Sequence, residues 1–201
     1  MSIANGDLRV YENVYEWLKS GNFTITTPQV DKNTFQNIML KEGHIIIYAI
    51  SPPPHQRKTV SIIISKDNPF SKKDDYEKVL EKIIKDGSVD TIVYSTKYAK
   101  HVQGIPHVRN ILHTTMFIDV RNHVNSPTNY KIIKPGDKEM TNVLYDHYTN
   151  NKNDLKKISK IYSDDPFAFW IGADIGDVVQ INSPDQETCG NAVFRLVVER
   201  K

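Results

Sequence analysis

The chain is 201 residues long and nearly neutral, with 26 Lys and Arg against 24 Asp and Glu and a formal charge of +2. This balance argues against an autonomous nucleic-acid binder, which needs a concentrated basic surface, and permits only a contributing one. With 39% hydrophobic and 25% charged residues the composition is that of a globular chain, no apolar run approaches membrane-spanning length, and the single cysteine, Cys189, excludes an internal disulfide or a cysteine-paired zinc site.

The first residues lack a basic stretch followed by an apolar one, so no secretory signal is expected. Val10, Val14, Trp17 and Leu18 recur at helical spacing and predict a helix from about Leu8 to Lys19, ended by Ser20-Gly21. A second helix is expected over Thr34 to Lys41, with Phe35, Ile38 and Met39 inward and Gly43 beyond it. The polar segment from Asn22 to Val30 joins the two. His44 to Ile50 and Thr59 to Ser65, rich in isoleucine and valine, read as strands that can form a hairpin across a proline-stiffened loop.

Ser71 and Asp74 have capping-box spacing for a helix striped by Tyr76, Val79, Leu80, Ile83 and Ile84, with Gly87 where a C-cap belongs. A strand at Thr91 to Ser95, a short helix near Lys97 to Val102 and a strand at Thr114 to Val120 complete the first half. Strand, helix, strand, helix, strand in that order favours a partly parallel sheet covered by helices. The polar run Arg121 to Pro127 marks the expected domain boundary. Beyond it come a strand at Tyr130 to Ile133, a turn at Pro135-Gly136 and a helix carrying Met140, Val143, Leu144, His147 and Tyr148 on one face. A further helical turn or two is expected from Leu155 to Tyr162, with Ile158 and Ile161 inward.

The last fifth is the most informative. Asp164 or Asp165 can cap a helix in which Pro166 takes the first turn, and Gly172 can stop it in the left-handed conformation. So short a helix is stable only by burying its apolar residues, Phe167, Phe169, Trp170 and Ile171. After Gly176, the segments Asp177 to Asn182 and Ala192 to Val198 alternate with period two and predict a β-hairpin.

The ordered set Asp165, Pro166, Ala168, Trp170, Gly172, then Gly176, Asp177, Val178, Val179, Ile181, then Glu187, Thr188, Gly190, then Phe194 and Arg195 resembles the assembly domain of the fifth-largest subunit shared by eukaryotic nuclear RNA polymerases, a family that includes a shorter archaeal equivalent. Two positions depart from the family pattern. Ser126-Pro127-Thr128-Asn129 keeps the proline but lacks the histidine of the family's opening segment. Ser183-Pro184-Asp185-Gln186 stands where a basic residue commonly precedes Ser-Glu-Thr. The resemblance leaves open a cellular subunit, located in the nucleus, or that of a large DNA virus, located in the virion and cytoplasmic viral factory; these departures and a weak N-terminal match favour the virus.

Other chemistries find less support. The seven histidines have no HExxH spacing, and His147 on an apolar face reads as a hydrogen-bonded core or interface residue. Asp174 and Asp177 around Gly176 read as turn residues before they read as a magnesium site. There is no Gly-x-x-x-x-Gly-Lys loop for nucleotide hydrolysis, and Cys189 falls in the loop matched to the family's Glu-Thr-x-Gly turn. Ser95-Thr96-Lys97 has the spacing of the acid-x-lysine element of restriction-type nucleases, but serine cannot supply the metal-holding charge. The aromatic helix admits two readings, core packing or a wedge between its own sheet and another subunit.

The fold expected is therefore an α/β N-terminal jaw-type domain with a partly parallel sheet, residues 1–121, and a small α+β C-terminal assembly domain, residues 122–201. The resemblance implies a non-catalytic subunit of a DNA-dependent RNA polymerase with no cofactor, no metal, no small-molecule substrate and no membrane. Its C-terminal domain would dock on the largest subunit, alongside other polymerase subunits, through Asp165, Pro166, Phe167, Ala168, Trp170, Gly172, Gly176, Asp177, Val178, Glu187, Thr188, Gly190 and Arg195. The N-terminal domain would lie in the lower jaw near downstream double-stranded DNA, with Lys97 and Lys100 as phosphate contacts. The alternative is a stand-alone nucleic-acid-processing protein of nuclease type.

Overall fold

The computed structural model describes residues 3–52, 59–65, 73–85, 87, 90–96, 107–123, 126–127, 129–138, 158–182 and 192–199, and divides the chain into two compact units, Met1–Ile118 and Asp119–Lys201.

In the first unit, helix α1 (Ile3–Ser20) buries Val10, Val14 and Leu18 completely, and Tyr11, Tyr15 and Trp17 almost so. It ends at Ser20, as expected, and Asn22 takes the left-handed turn at φ 57°, which asparagine tolerates because its side chain bonds locally. Gly21 serves close approach instead, since a Cβ there would stand 3.0 Å from the ring of Phe23, which lies on Trp17. Helix α2 (Lys32–Glu42) starts on Asp31, whose carboxylate accepts from the N–H groups of Asn33 and Thr34. It stops at Gly43, φ 71°.

The sheet of this unit runs in the order β1 (Thr24–Ile25), β2 (His44–Ile50), β3 (Thr59–Ser65), β4 (Asp90–Ser95), β5 (Val108–Leu112). The first three strands are antiparallel, with Ile47 opposite Ile62, so the expected hairpin forms. From β3 onward the pairing is parallel, with helix α3 (Lys73–Lys85) between β3 and β4 in the chain. The partly parallel sheet follows from that crossover. Ile63 and Val93 pack on Ile83 of α3, while Ile62 and Ile64 are buried on the other face. A strand covered on both sides must be apolar throughout, which explains the unbroken Ile62-Ile63-Ile64 run.

The strand expected from Thr114 to Val120 is corrected. The fifth strand is Val108–Leu112, and His113–Met116 is a 3-10 turn. Arg109 and Asn110 concealed the strand, yet Asn110 has a place in it because its Oδ1 accepts from Ser95 Oγ at 3.1 Å. In the 3-10 turn His113 is buried, with Nδ1 3.4 Å from the Asp7 carboxylate of α1.

The second unit is a four-stranded sheet in the order β6 (Tyr130–Ile133), β8 (Val178–Asn182), β9 (Ala192–Val198), β7 (Ser159–Tyr162). β6, β8 and β9 are antiparallel neighbours, and β7 runs parallel to β9. A strand at Ser159–Tyr162 overturns the helical expectation there. Ile158 and Ile161, three apart, satisfy helical spacing, but the structure sends them to opposite faces. Ile158 joins Ile133, Val178 and Phe194, whereas Ile161 packs with Val179 and Val197. The expected helices at Lys97–Val102 and Met140–Tyr148, with His147, lie outside the described residues, as does Ser71 of the capping box.

Candidate functional site

The aromatic helix α4 (Pro166–Trp170) is built as the sequence indicates. Asp165 accepts from the N–H groups of Phe167 (2.9 Å) and Ala168 (3.4 Å), and Pro166 occupies the first turn, where its missing donor costs nothing. Gly172 at φ 76° turns the chain away, and the Ala173 N–H closes on the Ala168 carbonyl at 3.0 Å. Ala168 then fits against Ala173, Val179 and Val197 on one face of the sheet.

Phe169 is 3% and Trp170 2% exposed, the burial that core packing requires. Phe167 is half-buried, its ring edge-on to Tyr130 at 5.5 Å. Trp170 is capped from within the unit, where the Arg121 guanidinium lies 4.8 Å from its ring centroid. Arg121 is held in turn by Asp119, Nε to Oδ1 at 2.9 Å and Nη2 to Oδ2 at 2.8 Å. This two-pronged bond, with a further one from the Arg121 N–H, holds the Asp119 carboxyl below the usual range and raises the guanidinium. Residues 119–121 thus fold with the C-terminal unit because they lock onto α4.

The turn before β8 is equally self-contained. Gly176, φ 94°, donates to the Val197 carbonyl at 3.0 Å. Buried Asp177 accepts from the Asp174 N–H and from the Lys134 ammonium, both at 2.7 Å, and Lys134 stands 3.7 Å from the Asp174 carboxylate. The ammonium supplies the positive charge between these carboxylates that a divalent ion would otherwise bring. Val178 is fully buried on the opposite face, with Ile133 and Phe194.

Of the residues singled out by sequence, Asp165, Pro166, Phe167, Ala168, Trp170 and Gly172 form α4 and its caps, and Gly176 and Asp177 brace it against β9. Arg195 sits half-buried in β9 between Val179 and Ser159. Glu187, Thr188 and Gly190 lie outside the described residues, as do Lys97 and Lys100.

The apolar surface on offer is different. Ile175 is 54% and Tyr162 45% exposed, at the same end of the sheet, where Gly176 and Ser163 bond to the carbonyls of Val197 and Val198. Tyr130, on strand β6, is 36% exposed. Among the described residues no strand pairs with the outer edge of β7. Sequence reading missed Tyr162 and Ile175 because a turn residue and a supposed helical residue carry no periodicity that marks an outward face. No helix of the described residues is long and apolar enough to cross a membrane.

Residues 118–197 match the family model of the RNA polymerase Rpb5 C-terminal domain, a span that runs from one residue before the second unit to near the end of β9. No curated protein matches the chain. The capped aromatic helix, the Gly-Asp turn and the strands of the closing hairpin fall within the matched span, and the match supports an Rpb5-type RNA polymerase subunit.

Proposed function

We propose that this subunit performs no reaction and acts by holding a DNA-dependent RNA polymerase together. Its C-terminal unit docks on the largest subunit, and its N-terminal unit forms part of the lower jaw beside downstream DNA. The observation that carries the docking reading is the exposure of Tyr162 and Ile175 beside the edge of β7, with which no strand pairs among the described residues. An open edge offers backbone donors and acceptors, and the two exposed side chains supply apolar area. The buried α4 contributes by fixing the turn that carries Ile175. For the jaw role the support is the resemblance together with the near-neutral charge, which suits a subunit that assists DNA contact without binding alone. Departures from the family pattern at Ser126–Asn129 and Ser183–Gln186 fit a viral polymerase.

Capture of the tagged chain from its native source, with mass spectrometry of everything retained, tests the proposal. The large polymerase subunits are expected in near-equal amounts, and a variant lacking residues 1–118 should retain them while losing downstream DNA contacts. Loss of docking in that variant contradicts the division of labour. Magnesium-dependent cleavage of DNA by the purified chain would instead favour the nuclease alternative.

A further inference from the structure

The turn that carries Ile175 is held from outside its own segment. Asp174-Ile175-Gly176-Asp177 sets one β-branched residue among three that favour turns, and Ile175 is left 54% exposed. The turn closes locally through the Asp177 N–H, which donates to the Asp174 carbonyl at 3.0 Å. Its other anchor comes from 43 residues earlier in the chain. Lys134, directly after β6, donates to the Asp177 carboxylate at 2.7 Å, on the same Oδ2 that accepts from the Asp174 N–H. Lys134 also opens a turn of its own, in which the Asp137 N–H donates to its carbonyl at 3.1 Å and Gly136 takes φ 85°. Pro135 of that turn lies against Gly176, its Cγ 3.5 Å from where a Cβ would stand. Two turns are therefore clamped together by one ammonium on one buried carboxylate.

A buried ion pair adds little net stability, because the cost of desolvation offsets the attraction, so its gain here is a fixed geometry. Asp177 is 1% exposed while the Lys134 side chain still reaches water, so the carboxylate depends on the ammonium more than the reverse. With the ammonium gone, the carboxylate keeps the Asp174 N–H but loses the charge that compensates its burial. The turn must then open to hydrate it, and Ile175 moves with the turn. We infer that Lys134 is a positioning residue of the docking face: it locks the Asp174–Asp177 turn so that Ile175 meets the polymerase subunit in one preformed arrangement, without itself touching that subunit. The inference rests on the docking reading above. Its physical content is preorganisation, since an apolar side chain already fixed in place binds without the entropy cost of ordering its turn.

The test uses the full chain as Lys134→Met and Lys134→Arg, with two readouts: amide hydrogen exchange of the free protein, and dissociation constant for the co-expressed largest polymerase subunit. Lys134→Met keeps the apolar stem and removes the charge. In the free protein its Asp174 and Asp177 amides should exchange about tenfold faster or more, while those of Ile181 and Val193, further along the sheet, keep their wild-type rates. Its affinity should fall about tenfold, the scale for having to order one side chain and its turn on binding. Lys134→Arg, which keeps the charge, should recover most of both. Weaker binding with unchanged exchange at the turn shows that Lys134 touches the partner itself and overturns the inference. So does a faster-exchanging turn with unchanged affinity, which leaves the docking reading standing. Faster exchange at Ile181 and Val193 as well assigns Lys134 to the stability of the whole unit and overturns it too. Should Lys134→Met not fold, Lys134→Gln, whose amide can still donate to Asp177 without charge, is read in the same way. Failure of wild type to bind the largest subunit removes the docking reading and this inference together.

Discussion

Replacing Trp170 by alanine separates a core role from a contact role. The indole is 2% exposed, roofed by the Arg121 guanidinium at 4.8 Å and set in α4 beside Ala168 and Phe169. Truncating a buried aromatic costs about 3–5 kcal/mol, and the lost cation–π contact adds up to about 2 kcal/mol. A unit spanning Asp119–Lys201 has a total stability of roughly 4–12 kcal/mol, so a large part would be lost. For a domain of this size each kcal/mol moves the melting temperature by roughly 4–8 °C, which places the shift at tens of degrees. Urea unfolding followed by circular dichroism and hydrogen exchange should show the C-terminal unit opening first while the core strands of the N-terminal unit stay protected. Under stabilising conditions where the variant remains folded, its affinity for the polymerase should be close to wild type. A variant that keeps its unfolding midpoint yet loses the partner would refute this reasoning and restore Trp170 as a wedge between subunits.

Two further outcomes follow from the local geometry. Asp119 has a carboxyl held low chiefly by the Arg121 side chain, so its stabilisation is present above the ordinary carboxylate pKa and disappears as pH falls through the depressed value. Asp119→Asn should therefore flatten the acid limb of melting temperature against pH while changing the neutral plateau less than Trp170→Ala does. Gly172→Ala meets nothing within 4 Å and suffers only from φ 76°, costing about 1–2 kcal/mol, whereas Gly176 at φ 94° lies further from the left-handed well, its Cβ making only an ordinary 3.5 Å contact with Pro135. Gly176→Ala should be the more destabilising of the two in urea titrations, and equal midpoints would show that the turn relaxes freely.

How far the sequence revealed this arrangement depended on whether neighbouring side chains or distant strands decide the conformation. Asp165, Pro166 and Gly172 act on their own helix, so α4 was legible, with the cap left between Asp164 and Asp165. The strands β8 and β9 were legible because both are rich in β-branched and aromatic residues, which fill a core on each face of the sheet. Ser159–Tyr162 was not, because β7 exists only by pairing with β9, and Ile158 and Ile161 serve two different cores. β5 was hidden for a related reason: Arg109 and Asn110 weaken its pattern, and its place is set by parallel pairing with β4. The candidate site divided in the same way. Family-matched positions such as Ala168, Trp170, Asp177 and Val178 hold the unit together, whereas exposed Tyr162 and Ile175 lie outside the motif. The stacking of Arg121 on Trp170 joins residues far apart in the chain and left no local trace, although Asp119, which holds Arg121, stands only two residues from it.

Cross-linking mass spectrometry of the assembled polymerase gives the most direct view of the docking face. Lys160, exposed on β7, should form cross-links to the largest subunit, and Tyr162 with Ile175 should lose hydrogen exchange on assembly. Cross-links from Lys160 to no polymerase subunit, with exchange at β7 unchanged between free and assembled protein, would contradict the account.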